Sequence, residues 1–234
     1  DVEPIFTDSE ISKFKTTISK LIPGYEKRGL RLGALDGHED VFFSVCSLFE
    51  NLEILEVGVA NGYSSAIFHE ALSKKGSGRI VSIDQPIFEE DVFKKSSLLN
   101  LLKSKIFQFL ADWAYPNNKD RPSYLWRGGV IPSSKYSGWL IDPEKQMDVN
   151  SKLIIGDVYA VIKEINLGKF NVILLDAMKD EQDRLKLLAT IFPLMADSGI
   201  IIQDGAWRNG AVKIFAERNG LSYIELGRIA LIRN

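Results

Sequence analysis

The sequence predicts a doubly wound α/β domain: a seven-stranded, mostly parallel sheet with helices on both faces, a helical N-terminal segment and a closing antiparallel hairpin. Three observations lead to it. From residue 52 onward, short β-rich runs alternate with amphipathic stretches, a pattern that implies parallel pairing through right-handed crossovers. The first run ends in glycines and opens a helix, Glu56-Val57-Gly58-Val59-Ala60-Asn61-Gly62-Tyr63-Ser64. The second run ends in a carboxylate, Asp84, about one βαβ unit further on.

Residues 1–50 read as a helical preface. Ser9-Glu10-Ile11 opens one helix, and His38-Glu39-Asp40 leads into Val41, Phe42, Val45, Cys46 and Phe49 at helical spacing. Pro23-Gly24 and the glycines between residues 29 and 37 break the chain between them. The expected strands are residues 52–57, 79–83, 153–155, 171–175 and 199–202. Helices are expected over 64–74, with Ile67, Ala71 and Leu72 on one face, and over 180–195, with Leu185, Leu188, Ile191, Phe192 and Met195 in one stripe. After a helix over 210–218, runs at 221–225 and 228–232 flank Gly227, and so short a connection pairs them antiparallel.

The connection from Asp84 to residue 153 is longer than one crossover needs. Its portion 111–150 holds Trp113, Trp126, Trp139, Tyr115, Tyr124 and Tyr136, and long excursions of this kind serve as lids or ordered insertions. Stacking on an aromatic or sugar substrate and packing as a satellite core are both open to these rings. The whole of 1–234 reads as a single domain.

Composition narrows the function. The chain has 234 residues, 45% hydrophobic, with 29 basic against 31 acidic side chains and a formal net charge of −2. This balance lacks the concentrated basic face of a nucleic-acid binder, so a small molecule is the expected partner. Cys46 is the only cysteine, which excludes an internal disulfide framework and a cysteine-rich zinc site and fits a reducing cytoplasm. No apolar run reaches the roughly 18 residues that span a bilayer, and Asp1-Val2-Glu3-Pro4 carries no signal pattern, so no membrane partner is expected. A homodimer is compatible with this composition.

The chemistry concentrates at strand ends. Gly58 and Gly62 let the main chain turn sharply and come close to a ligand, and the following helix offers unpaired amides and a positive dipole end. A plain strand-to-helix turn uses the same glycines. Their spacing, G-x-x-x-G with Glu56 two residues ahead, differs from the G-x-G-x-x-G dinucleotide fingerprint. Asp84 can accept from ribose hydroxyls, and together the two elements favour a nucleoside-containing cofactor.

With Gly156-Asp157 after the third strand, these motifs resemble those of class I S-adenosylmethionine-dependent methyltransferases, over about residues 51–234 on a Rossmann-like layout. The resemblance implies S-adenosyl-L-methionine as cofactor, with Glu56, Gly58, Gly62, Ser64, Asp84, Asp157 and Asp176 around it. Leu175-Asp176-Ala177-Met178-Lys179 and Gln203-Asp204-Gly205 further resemble the paired motifs of cation-dependent O-methyltransferases of the catechol and caffeoyl-CoA type. The segments 137–140 and 209–212 are similar to bacterial sugar-modifying and other small-molecule methyltransferases. The implied activity is O-methylation of a small-molecule hydroxyl. Mg²⁺ would be held by Asp176 and Asp204, with Lys179 as the candidate base. Gly205 stands where that family has an asparagine and offers no side-chain oxygen.

Hard divalent cations take oxygen ligands and keep several waters, so two aspartates with substrate oxygens and solvent suffice chemically. Both aspartates can instead cap the helices after their strands. A metal-independent methyltransferase, an NAD-dependent oxidoreductase and a non-catalytic protein binding a nucleoside cofactor are the alternatives. His38 reads as a helix cap or a base, and His69 and Cys46 read as structural.

Overall fold

The structure is a computed structural model, and it describes residues 7–19, 37–88, 130–131, 137–138, 141, 149–164, 166–178, 180–206 and 209–233. The expected aromatic excursion over 111–150, its three tryptophans and Lys179 lie largely or wholly outside these residues.

The strands are β1 (Leu52–Val57), β2 (Gly78–Asp84), β3 (Ile87–Phe88), β4 (Val130–Ile131), β5 (Asn150–Ile155), β6 (Phe170–Leu175), β7 (Met195–Asp204), β8 (Ser222–Leu226) and β9 (Ile229–Arg233). The helices are α1 (Asp8–Ser19), α2 (Glu39–Ser47), α3 (Tyr63–Lys75), α4 (Val158–Glu164), α5 (Glu181–Ile191) and α6 (Ala211–Arg218). The main sheet has seven strands in the order β5-β2-β1-β6-β7-β9-β8. The five strands from β5 to β7 pair in parallel, and β9 and β8 close the sheet antiparallel, as the sequence predicts. β1 sits inside the sheet between β2 and β6, so its turn opens at the point where strand order reverses. A two-stranded pair, β3 with β4, was not legible in the sequence.

β-strand side chains alternate between faces, and here both faces are covered. Ile54, Ile80, Leu174 and Ile202 point to the side of α2 and α3, where they meet Phe42, Phe68 and Ile67. Leu55, Val81, Ile173 and Ile201 point to the other side, under Leu187, Leu188, Val161 and Phe215. Two-sided burial is why the central strands read as nearly continuous apolar runs. β5, at the edge, tolerates Ser151 and Lys152. Phe14 of α1 packs edge-on against Phe43 with ring centroids 5.8 Å apart, which ties the N-terminal helix to the core.

The helix ends explain the loops. Asp180 caps α5, accepting from the amides of Gln182 and Asp183. Gly76 closes α3 with φ +68 and donates its amide to the Leu72 carbonyl. Among the described residues no helix is long and apolar enough to cross a membrane.

Candidate active site

The period of two along each strand fixes where the polar strand ends point. Glu56, Asp84, Asp176 and Asp204 follow Ile54, Ser82, Leu174 and Ile202 at a two-residue step, so all four lie on the α2/α3 side of the sheet. All except Glu56 fall at the carboxyl rim. Leu175 is in register with Gln203, so Asp176 and Asp204 leave neighbouring strands side by side.

The turn after β1 is tightly built. Gly58 has φ +92, and a Cβ there would lie 2.5 Å from the Asp176 carbonyl oxygen. Gly62 has φ +87, and its Cβ would lie 2.7 Å from Gly138 Cα. Only glycine combines that dihedral with that approach. Ala60, with φ 48, and Met178, with φ 56, are non-glycine residues in the left-handed region, and strain of this kind concentrates at functional turns. Gly62 brings no side chain to the start of α3, where Asn61 Oδ1 accepts from the Tyr63 amide at 3.2 Å, and the rest of the first turn keeps positive potential for an anionic group.

Asp84 is buried. One carboxylate oxygen accepts from the Val59 amide at 3.2 Å, and the other from the Ser137 hydroxyl. A carboxylate has about four acceptor positions, so two remain for ribose hydroxyls. Gly138 donates its amide to the Ala60 carbonyl at 2.9 Å. Thus Ser137 reaches Asp84, 53 residues away in the chain, and Gly138 lies against the glycine turn, contacts that no local pattern announces. Asp157 is exposed and caps α4 through one oxygen, which accepts from the amides of Tyr159 and Ala160.

Glu56 and Ser64 are placed differently from a direct ligand contact. Glu56 is 0% exposed, and its carboxylate accepts from Ser64 and Ser65 at 2.5 Å and from Ser82 at 2.7 Å. Burial pushes its pKa up, against the three hydroxyls that pull it down. The carboxylate therefore bolts the first turn of α3 to β1 and β2 from beneath. The alternation from Ile54 to Glu56 was the available signal.

Neither Asp176 nor Asp204 caps a helix. Asp176 is exposed at the rim, and Asp180 does the capping of α5. Asp204 is 3% exposed, and Arg228 grips it from the turn between β8 and β9, with Nε on one carboxylate oxygen and Nη2 on the other. Those bonds, with Asp176 nearby, raise the already high pKa of Arg228. The backbone places Arg228 there, because Asp204 is in register with Ile229 and the Ala206 amide donates to the Arg228 carbonyl at 3.0 Å. Arg184, also buried, joins the two turns. Its Nη1 donates to the Gly205 carbonyl at 2.9 Å, and its Nε and Nη2 donate to the Met178 carbonyl.

The expected Mg²⁺ pair does not fit this donor set. Both oxygens of Asp204 accept from a guanidinium whose fixed positive charge opposes a cation at the same carboxylate, and Gly205 supplies no side-chain ligand. Among the described residues no group of three or more His, Cys, Asp and Glu side chains is placed to hold a metal ion. Lys179, the expected base, lies outside the described residues.

His38 takes the N-cap position of α2 without a capping hydrogen bond from its side chain. His69 is buried with Nε2 3.1 Å from the Ser151 hydroxyl. Cys46 is fully buried, with its pKa pushed up to about 12 by burial, which leaves it an inert packing residue.

A family profile described as "Methyltransferase domain" matches residues 55–205, from β1 through the turn after β7. The chain belongs to the methyltransferase-domain family. As the sequence motifs implied, this is a methyltransferase domain. No curated protein matches it significantly. Among solved structures, the methyltransferase is similar to cofactor-bound Rv0187 from MTB, at 13% identity over 97% of this chain and 90% of that one, with a TM-score of 0.52. It is also similar to the O-methyltransferase NovP, at 13% identity over 86% of this chain and 81% of that one, with a TM-score of 0.52. At such identities the likeness is one of fold.

Proposed function

We propose that this methyltransferase methylates a hydroxyl oxygen of a small molecule and does so without a divalent cation. The observation that carries the reading is the rim itself: the Gly58–Gly62 turn, Asp84 and Asp176 open on one side of the strand-order switch. The fold shared with an O-methyltransferase and the sequence resemblance at Asp176 support oxygen as the acceptor atom.

In this reading the first turn of α3, with its positive dipole end, faces the cofactor's carboxylate, and the remaining lone pairs of Asp84 take the ribose hydroxyls. Asp157 keeps one oxygen for the adenine side. Glu56 and Ser64 act from below by fixing the start of α3. When bound, S-adenosylmethionine supplies a sulfonium methyl, so that an oxygen–carbon bond forms as the sulfur–carbon bond breaks and sulfur leaves as the neutral thioether. The chain's own task is to align the acceptor hydroxyl and keep water out. Asp176 orients that hydroxyl, and Lys179 takes its proton if its surroundings hold it neutral.

Calorimetry tests the cofactor assignment. S-adenosylhomocysteine is expected to bind and NAD is not. Asp84→Asn should weaken the first about tenfold to 100-fold, as expected for loss of charge-assisted hydrogen bonds. Tighter binding of NAD would replace this reading with the oxidoreductase one.

A further inference from the structure

Deepening the metal-free reading on which it rests, we infer that the Arg228–Asp204 pair is a built-in substitute for a divalent cation: Asp204 anchors the guanidinium, whose outer edge binds the oxygen of the methyl acceptor. Three observations converge. Arg228 binds both oxygens of Asp204 through Nε and Nη2, the bidentate arrangement that leaves the Nη1 edge pointing away from the carboxylate. The Arg228 side chain is 23% exposed while that of Asp204 is 3% exposed, so the carboxylate that anchors the pair lies in the core while part of the arginine reaches the surface. Gly205, beside the pair, removes the side-chain oxygen that a metal shell would use, and its carbonyl is already tied to Arg184.

These features are coupled by charge. A divalent ion at Asp204 would break two charge-assisted hydrogen bonds and sit against a guanidinium that does not deprotonate. Cation and arginine are therefore mutually exclusive at this carboxylate. With Arg228 in place, the buried pair is neutral, and the exposed Asp176 beside it is an acceptor for a hydroxyl hydrogen. An acceptor molecule with two neighbouring oxygens fits this arrangement: the hydroxyl to be methylated on Asp176, and a second hydroxyl or carbonyl oxygen on the outer edge of Arg228. The guanidinium donates hydrogen bonds only, and the hydroxyl proton goes to the base.

The test pairs a metal-binding readout with a kinetic one, using wild type, Arg228→Ala and Arg228→Gln. S-adenosylhomocysteine affinity, measured by calorimetry, serves as the control for folding and should stay within about twofold in all three. Mn²⁺ titration followed by electron paramagnetic resonance should show affinity rising about tenfold or more in Arg228→Ala, where Asp204 regains free oxygens beside Asp176. Equal Mn²⁺ binding in wild type and variant, whether present or absent, overturns the substitution. With any hydroxyl acceptor that wild type methylates, kcat/KM should fall about 100-fold in both variants. Unchanged acceptor kinetics would remove Arg228 from acceptor binding. Failure to find a hydroxyl acceptor at all counts against O-methylation, while the Mn²⁺ comparison decides the role of the pair on its own.

Discussion

Gly58→Ala is expected to destabilise the domain by about 3 kcal/mol or more and to weaken S-adenosylhomocysteine binding about 100-fold. Two costs combine at this position. A φ of +92 is unfavourable for any side chain, and the added Cβ would meet the Asp176 backbone carbonyl at 2.5 Å and its carbon at 2.9 Å. The obstacle is main chain at the end of a central strand, so it cannot rotate away as a flexible side chain would. Relief requires β1 and β6 to separate at their carboxyl ends, where displacements near 1 Å cost about two orders of magnitude in a positioned site. Gly76→Ala is the matched control: it shares the left-handed dihedral, with φ +68, but has nothing within 4 Å. It should cost about 1 kcal/mol and leave binding unchanged. Thermal unfolding and calorimetry on the two variants separate dihedral strain from the clash.

Glu56→Ala should produce the second large effect, a loss of about 3 kcal/mol or more, or about 6–12 °C in Tm for a domain of this size. Removing the carboxylate leaves the hydroxyls of Ser64, Ser65 and Ser82 without their shared acceptor in a fully buried site. The acid–base behaviour of Glu56 gives a sharper signature. Burial raises its folded pKa above the ordinary value of 4.5, so the native state binds more protons than the unfolded one above that pH. Its contribution to stability is then fully present below pH 4.5 and is lost as pH rises through the raised folded value. Glu56→Gln keeps an acceptor oxygen without the titration. Its stability profile should lack that downward slope, whereas a wild-type profile that rises over the same window would contradict the assignment.

Much of the fold is legible in the sequence because its determinants are local. The alternation of apolar runs and amphipathic stretches places β1, β2, β6 and the hairpin within a few residues, and Gly58, Gly62 and Asp84 announce the rim through spacing along one βαβ unit. β7 begins earlier than expected, at Met195, because parallel pairing with β6 extends past Gly199 across a register shift near Phe170. What was missed depends on partners distant in the chain. Arg228 sits in a hairpin turn with no motif of its own, and only the antiparallel register of β7 with β9 brings it to Asp204, 24 residues away. Ser137 meets Asp84 through the course of a long connection. Glu56 is the instructive middle case: its place in a glycine motif suggested a ligand contact, whereas simple strand alternation from Ile54 already pointed it into the core.

Methyl transfer to oxygen without a metal ion is the central chemistry proposed for this site. Its most direct test is transfer of labelled methyl from S-adenosylmethionine to a panel of phenolic and sugar hydroxyl compounds, run in parallel with and without chelator. Label is expected in an O-methyl group of at least one acceptor at the same rate in both series. Activity that vanishes in chelator and returns with Mg²⁺ would contradict it, as would label found on nitrogen or sulfur instead of oxygen.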